Sequence, residues 1–142
     1  MKIIFLVMLI FSIFVYADFS RDNVNNIVTD NTTKLQWQDD VNASILIKTW
    51  VEAINYCEAL EVGGYNDWRL PNAIELYYIA DRSKKNPAID VLFQNVALSG
   101  YWSSTTVFSY EDLAWVTYFD YGNDSSETKY ITRYLRCVRI GI

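Results

Sequence analysis

Residues 68–76 read WRLPNAIEL. Pro71 disfavours helix at Leu70 and so closes the extended segment before it. Asn72 is a strong helix N-cap, and Glu75 stands three residues further on, which makes a capping box. The stretch therefore predicts the start of a helix over AIELYYIAD, with Trp68 and Leu70 driven into the core. Arg69 has no nucleophile or general base near it in sequence. Its rigid donor fork predicts an anchor on a carboxylate or on backbone carbonyls rather than a catalytic cation.

Upstream, Thr49 and Glu52 form a second capping box, followed by Trp50, Ile54, Cys57 and Leu60 at helical spacing. This predicts a helix that begins at Thr49 and turns Cys57 to the core. Gly63 and Gly64 supply the left-handed turn that ends it. Before it, NIVTDNTTKLQWQDD predicts a hairpin, with Ile27 and Val28 leading into the polar turn 30–33 and Leu35 and Trp37 alternating with glutamines.

Downstream, RSKKNPAID predicts a polar loop and VLFQNVAL a short helical turn. YWSSTT, LAWVTYF and KYITRYLRCVRI are rich in aromatic and β-branched residues and predict strands. The loops VFSYED and DYGNDSSE separate them. Helices early and strands late predict an α+β class: two helices on a small twisted antiparallel sheet, with an N-terminal hairpin.

The first 20 residues, MKIIFLVMLIFSIFVYADFS, hold one Lys, an apolar run from Ile3 to Val15, and the small-residue site Val15-Tyr16-Ala17. That pattern predicts a signal peptide over 1–17 and a domain over 18–142, in the periplasm, secreted or at the cell surface. The apolar run is shorter than the roughly 18 residues of a membrane-spanning helix. No membrane span is expected after cleavage.

An exported chain with two cysteines favours a disulfide between Cys57 and Cys137. A catalytic cysteine pair is the alternative.

The chain has 142 residues, no histidine and a formal net charge of −5. The missing histidine removes Ser-His-Asp and Cys-His machinery and the usual zinc ligand sets. Scattered basic residues and net acidity argue against nucleic acid. They also argue against sulfated glycans, unless a local patch such as Arg82, Lys84 and Lys85 receives them. Aromatic residues make up 16%, with 5 Trp and 11 Tyr. Tyr and Trp suit surfaces that meet ligands, because each pairs a large apolar face with a polar handle.

The segments IVTDNTTKLQWQ, TWVEAINYCEAL, GGYNDWRLPNAIEL, NPAID, YWSST and RCVR occur in an order that resembles the Lcl C-terminal domain family, over about residues 19 to 140. The resemblance implies a C-type-lectin-like fold, in which the helix cysteine of W-x-x-A-x-x-x-C (Trp50, Ala53, Cys57) pairs with one on the last strand, Cys137. It implies a binding module, since the family takes its name from a collagen-like bacterial adhesin whose terminal domain binds sulfated polysaccharides. This sequence has no Gly-X-Y stalk. It also lacks the Glu-Pro-Asn, Gln-Pro-Asp and Trp-Asn-Asp motifs of calcium-dependent lectins, because Tyr65-Asn66-Asp67-Trp68 runs in the wrong order.

Loops positioned by a scaffold are the expected place for a ligand. Tyr110, Glu111, Asp112, Asp120, Tyr121, Asn123 and Asp124 offer aromatic faces, carboxylates and an amide, and Trp102 adds an aromatic beside hydroxyls. Asp120 and Asp124 are candidate calcium ligands, although their spacing does not complete an EF-hand. Asp40-Val41-Asn42-Ala43-Ser44 matches an extended bacterial N-glycosylation acceptor at Asn42. No catalytic residue and no cofactor is expected. The expected function is binding of a glycan or a surface protein. The alternatives are a two-carboxylate glycosidase, a sulfatase-modifying-like oxidase using the cysteines, and a structural envelope protein.

Overall fold

The computed structural model describes residues 18–141. The expected signal peptide lies outside the described residues. In chain order the elements are β1 (Phe19–Asp22), β2 (Ile27–Asp30), β3 (Leu35–Gln38), α1 (Asn42–Ile45), β4 (Ile47–Lys48), α2 (Trp50–Glu58), α3 (Ala73–Ile79), β5 (Gly100–Val107), β6 (Tyr110–Tyr118), β7 (Asp124–Thr128), β8 (Arg133–Tyr134) and β9 (Val138–Ile140). The class is α+β, as expected. The strands divide between two sheets, ordered β1-β2-β3-β9 and β4-β8-β5-β6-β7. All pairs are antiparallel except β5 with β8, which meet in parallel at Tyr101 and Tyr134.

The N-terminal hairpin forms where the alternation places it, with Val28 opposite Trp37. Asp30 makes its turn by accepting the N–H groups of Thr32 and Thr33 on one carboxylate oxygen, at 2.8 and 3.1 Å. Both capping boxes are present. Glu52 accepts the Thr49 N–H at 2.9 Å. Asn72 Oδ1 accepts the Glu75 N–H at 2.9 Å, and the Glu75 carboxylate accepts the Asn72 N–H at 2.8 Å. Gly63 has φ +65°, and a Cβ there would lie 2.6 Å from Ile27 Cδ1, so the turn after α2 needs glycine twice over.

The five-stranded sheet lies between the two longer helices. Successive strand residues point to opposite faces. Trp102, Ala114 and Val116 therefore share a core with Ala53 and Cys57 of α2. Their neighbours Tyr101 and Phe119 share the other core with Leu76 and Ile79 of α3. The indole N–H of Trp102 donates to Lys48 O and that of Trp50 to Ser103 O, both at 2.9 Å, which ties the α2 side to the sheet.

The Cys57–Cys137 disulfide joins α2 to the residue before β9 across a sequence separation of 80. In the loop-entropy account, closing a loop of that length contributes about 4–5 kcal/mol. Both cysteines are fully buried, so neither is placed as a catalytic thiol.

Three local expectations change. Residues 91–98 form turns rather than a helical turn, because the N–H groups of Gln94 and Asn95 go to the Asp39 carboxylate at 2.8 and 3.3 Å and are lost to any helix. Residues 129–140 do not form one strand. They split into β8 and β9 in different sheets, and between them Arg136 turns inward to Asp39. Neither VFSYED nor DYGNDSSE is an open loop: β5 runs to Val107 and β6 starts at Tyr110, leaving Phe108 and Ser109 (φ 64°) at a tight tip, and the second half of DYGNDSSE is taken up in β7 (Asp124–Thr128).

An aromatic groove at the sheet edge

Helix α3 covers only part of its face of the five-stranded sheet. On that face β6, which α3 touches, pairs with β7, with Trp115 opposite Ser126 and Thr117 opposite Asp124. Trp115 and Thr117 share a sheet face with Tyr101, the face α3 packs on. Between the helix and this edge runs a groove of about 330 Å³ lined by Ala73, Ile74, Tyr77, Tyr78, Trp115, Thr117 and Asp124. Its three aromatic side chains are open to solvent, with Tyr77 46%, Tyr78 71% and Trp115 38% exposed.

The polar end of the groove is internally bonded. Asp124 Oδ1 accepts the Thr117 hydroxyl at 2.7 Å, and Oδ2 accepts Arg82 Nη2 at 3.1 Å. The Arg82 guanidinium lies 3.7 Å from the centroid of the Tyr77 ring and donates through Nη1 to Tyr77 O at 2.8 Å. Stacking and hydrogen bonding together fix the arginine against the helix end.

A second groove, of about 370 Å³, opens on Thr49, Trp50, Val51, Glu111, Asp112, Lys129 and Tyr130. Lys129 Nζ stands 4.0 Å from the centroid of the Trp50 ring and donates to Glu111 O and Thr106 Oγ1 at 2.6 and 2.8 Å. It covers one face of that indole, as Arg82 covers one face of Tyr77 in the first groove. Tyr130 donates its hydroxyl to Asp112 at 3.1 Å, and that bond holds its phenol above the usual tyrosine range.

The residues anticipated from the sequence thus fall in different places. Asp124 lines the first groove, and Glu111 and Asp112 line the second. Tyr110 and Tyr121 are exposed at 63% and 61%, at the start of β6 and in the turn after it. Asp120 accepts the Tyr121 N–H at 2.8 Å, and Asn123 O accepts the Tyr118 N–H at 2.8 Å, so both shape the β6–β7 turn. Trp102 is fully buried and belongs to the core rather than to a ligand surface, because its strand position faces α2.

Asp124 bonds Thr117 and Arg82, and among the described residues no three acidic, cysteine or histidine side chains gather around it or Asp120 to hold a metal. Asn42 sits in the single turn of α1 and donates its amide to the Tyr56 hydroxyl at 3.2 Å. The basic patch is divided too: Arg82 is spent on the first groove, while Lys84 pairs with Asp81 at 3.2 Å. Among the described residues no helix is long and apolar enough to cross a membrane.

A family model described as the Lcl C-terminal domain matches residues 26–139, most of the chain. The chain belongs to the Lcl C-terminal domain family. No curated protein matches it. Within this Lcl C-terminal domain, the residues that sequence reading missed are Tyr77, Tyr78 and Trp115. Two signals were available for them. Leu76 and Ile79 set the buried face of α3, which leaves adjacent Tyr77 and Tyr78 no shared place in the core. In LAWVTYF, Ala114 and Val116 point one way, so Trp115 points the other.

Proposed function

We propose that this Lcl C-terminal domain is an exported, non-catalytic binding module that holds a glycan in the groove between α3 and the β6–β7 edge. The observation that carries the reading is the convergence of three exposed aromatic side chains, Tyr77, Tyr78 and Trp115, on one groove beside Asp124 and Thr117. Aromatic faces bury the apolar C–H face of a sugar, and an adjacent carboxylate, here Asp124, bonds its hydroxyls. The volume lies at the lower end of the roughly 300–1,000 Å³ usual for ligand pockets, which suits a short glycan segment. The groove is built on a strand pair and a capped helix, so its groups are held before the ligand arrives.

The enzyme readings have less support. Both cysteines are consumed in a buried disulfide, and the one carboxylate of the groove is tied to Arg82.

Screening the protein on a glycan array, followed by calorimetric titration of the hits, tests the reading. Trp115→Ala and Tyr78→Ala are expected to weaken binding about tenfold or more, whereas Tyr110→Ala and Tyr121→Ala leave it intact. Undiminished binding in the first pair would remove the site from this groove. Absence of any glycan ligand would leave a protein partner as the better reading.

A further inference from the structure

We infer that the groove selects an uncharged pyranose that presents two neighbouring hydroxyls, with Asp124 as their acceptor. The inference rests on the glycan-binding reading above and narrows it. Its first support is the count of acceptor sites at Asp124. An ionised carboxylate offers about four lone-pair sites. Thr117 uses one on Oδ1 and Arg82 one on Oδ2, so each oxygen keeps capacity for one further donor. Two acceptors on one planar group match two hydroxyls on adjacent ring carbons.

The second support is placement. Trp115 lies opposite Ser126, and Asp124 lies opposite Thr117, two residues along the same strand pair. Diagonal neighbours of this kind stand about 7–8 Å apart at their Cα atoms, with side chains on one face. A sugar ring lying on Trp115 therefore brings its hydroxyl edge towards Asp124.

The third support is charge. Asp124 is the one charged residue that lines the groove. The nearest cation, Arg82, gives Nη1 to Tyr77 O and Nη2 to Asp124, and its plane is covered by the Tyr77 ring. A sulfate or uronate here would meet Asp124 as a like charge. Drawing Arg82 away to neutralise it would strip Asp124 of its counter-ion, so neither route is favourable. The formal net charge of −5 adds a general repulsion of polyanions. A neutral ligand meets none of these penalties.

Titration calorimetry with neutral gluco- and manno-oligosaccharides and with heparin, each at low and high salt, tests the inference. The neutral probes are expected to bind with an affinity that salt changes by less than about twofold, since no ion pair forms. Asp124→Asn, which keeps the shape but removes an acceptor and the charge, is expected to weaken them about tenfold. Thermal melting confirms that this variant and Trp115→Ala are folded. Undiminished neutral binding by Asp124→Asn would overturn the role of Asp124. Heparin binding that is lost in Trp115→Ala and weakened steeply by salt would overturn the selectivity while leaving the groove a glycan site. Binding of neither class would overturn both the inference and the reading beneath it.

Discussion

Arg69 and Glu75 meet through two parallel hydrogen bonds, Nη1 to Oε2 at 2.8 Å and Nη2 to Oε1 at 2.7 Å. The same Glu75 carboxylate accepts the Asn72 N–H and so closes the α3 cap. The Arg69 backbone, in turn, exchanges two hydrogen bonds with Val138 of β9, both at 2.9 Å. One short stretch thus fastens α3 to the strand next to the disulfide, and Arg69 is a structural link rather than a ligand-gripping cation.

Arg69→Lys replaces the fork with a single ammonium and loses the paired geometry. The pair is partly exposed, with side-chain exposures of 39% and 15%, so the expected cost is about 1 kcal/mol. Chemical denaturation measures it. Glycan affinity is expected to stay unchanged, because Arg69 does not line the groove.

Glu75 also gives stability an acid limb. Burial works to raise its carboxyl, but the hydrogen bonds from Arg69 and the Asn72 N–H outweigh it and hold the group below the ordinary carboxylate value. A carboxyl lowered on folding contributes stability above its unfolded pKa of roughly 4.3, and that contribution fades as pH falls through the folded value. Glu75→Gln removes it. The urea midpoints of wild type and Glu75→Gln are expected to differ at neutral pH and to converge as pH falls below the unfolded value and on through the folded one. A constant gap down to acid would show that the charge of Glu75 is not what the variant loses.

The most consequential buried polar group is Asp39, with no exposed side-chain surface. It accepts from Arg136 Nη1 at 2.6 Å, from Arg21, and from the N–H groups of Gln94 and Asn95. Asp39→Asn leaves two buried guanidinium groups without their counter-charge, an effect of about 3–5 kcal/mol when one partner of a buried pair is removed. Equilibrium unfolding of that variant is the check. A loss near zero would mean that water reaches the cluster and screens it.

The contrast between Glu75 and Asp39 shows what a linear reading reaches. Capping boxes, the β2–β3 alternation and the helical spacing of Cys57 depend on residues within a few positions of one another, and each appears in the structure where the sequence places it. Asp39 and Arg136 are 97 residues apart, and nothing local distinguishes Asp39 from its half-buried neighbour Asp40. The irregular path of residues 91–98 follows from that same distant carboxylate, so it was equally illegible. The groove stands between these cases. Strand and helix periodicity single out Trp115 and the two tyrosines, but only the packing of α3 against β6 brings them to one surface.

Trp102 and Trp115 put this distinction to a direct test. Trp102 pairs with Val116 across β5 and β6, which places Trp115, one residue earlier on β6, on the opposite face. Trp102 is fully buried in the α2 core, whereas Trp115 is 38% exposed in the groove. Trp102→Ala opens a cavity and is expected to cost about 3–5 kcal/mol of stability, with the chain partly unfolded at physiological temperature. Trp115→Ala gives up only partly buried surface beside the groove, for about 1 kcal/mol, and is expected to fold and lose its glycan. Denaturation and titration on the same two preparations separate the roles. A Trp115→Ala protein as unstable as Trp102→Ala would return Trp115 to the core and remove the floor of the proposed site.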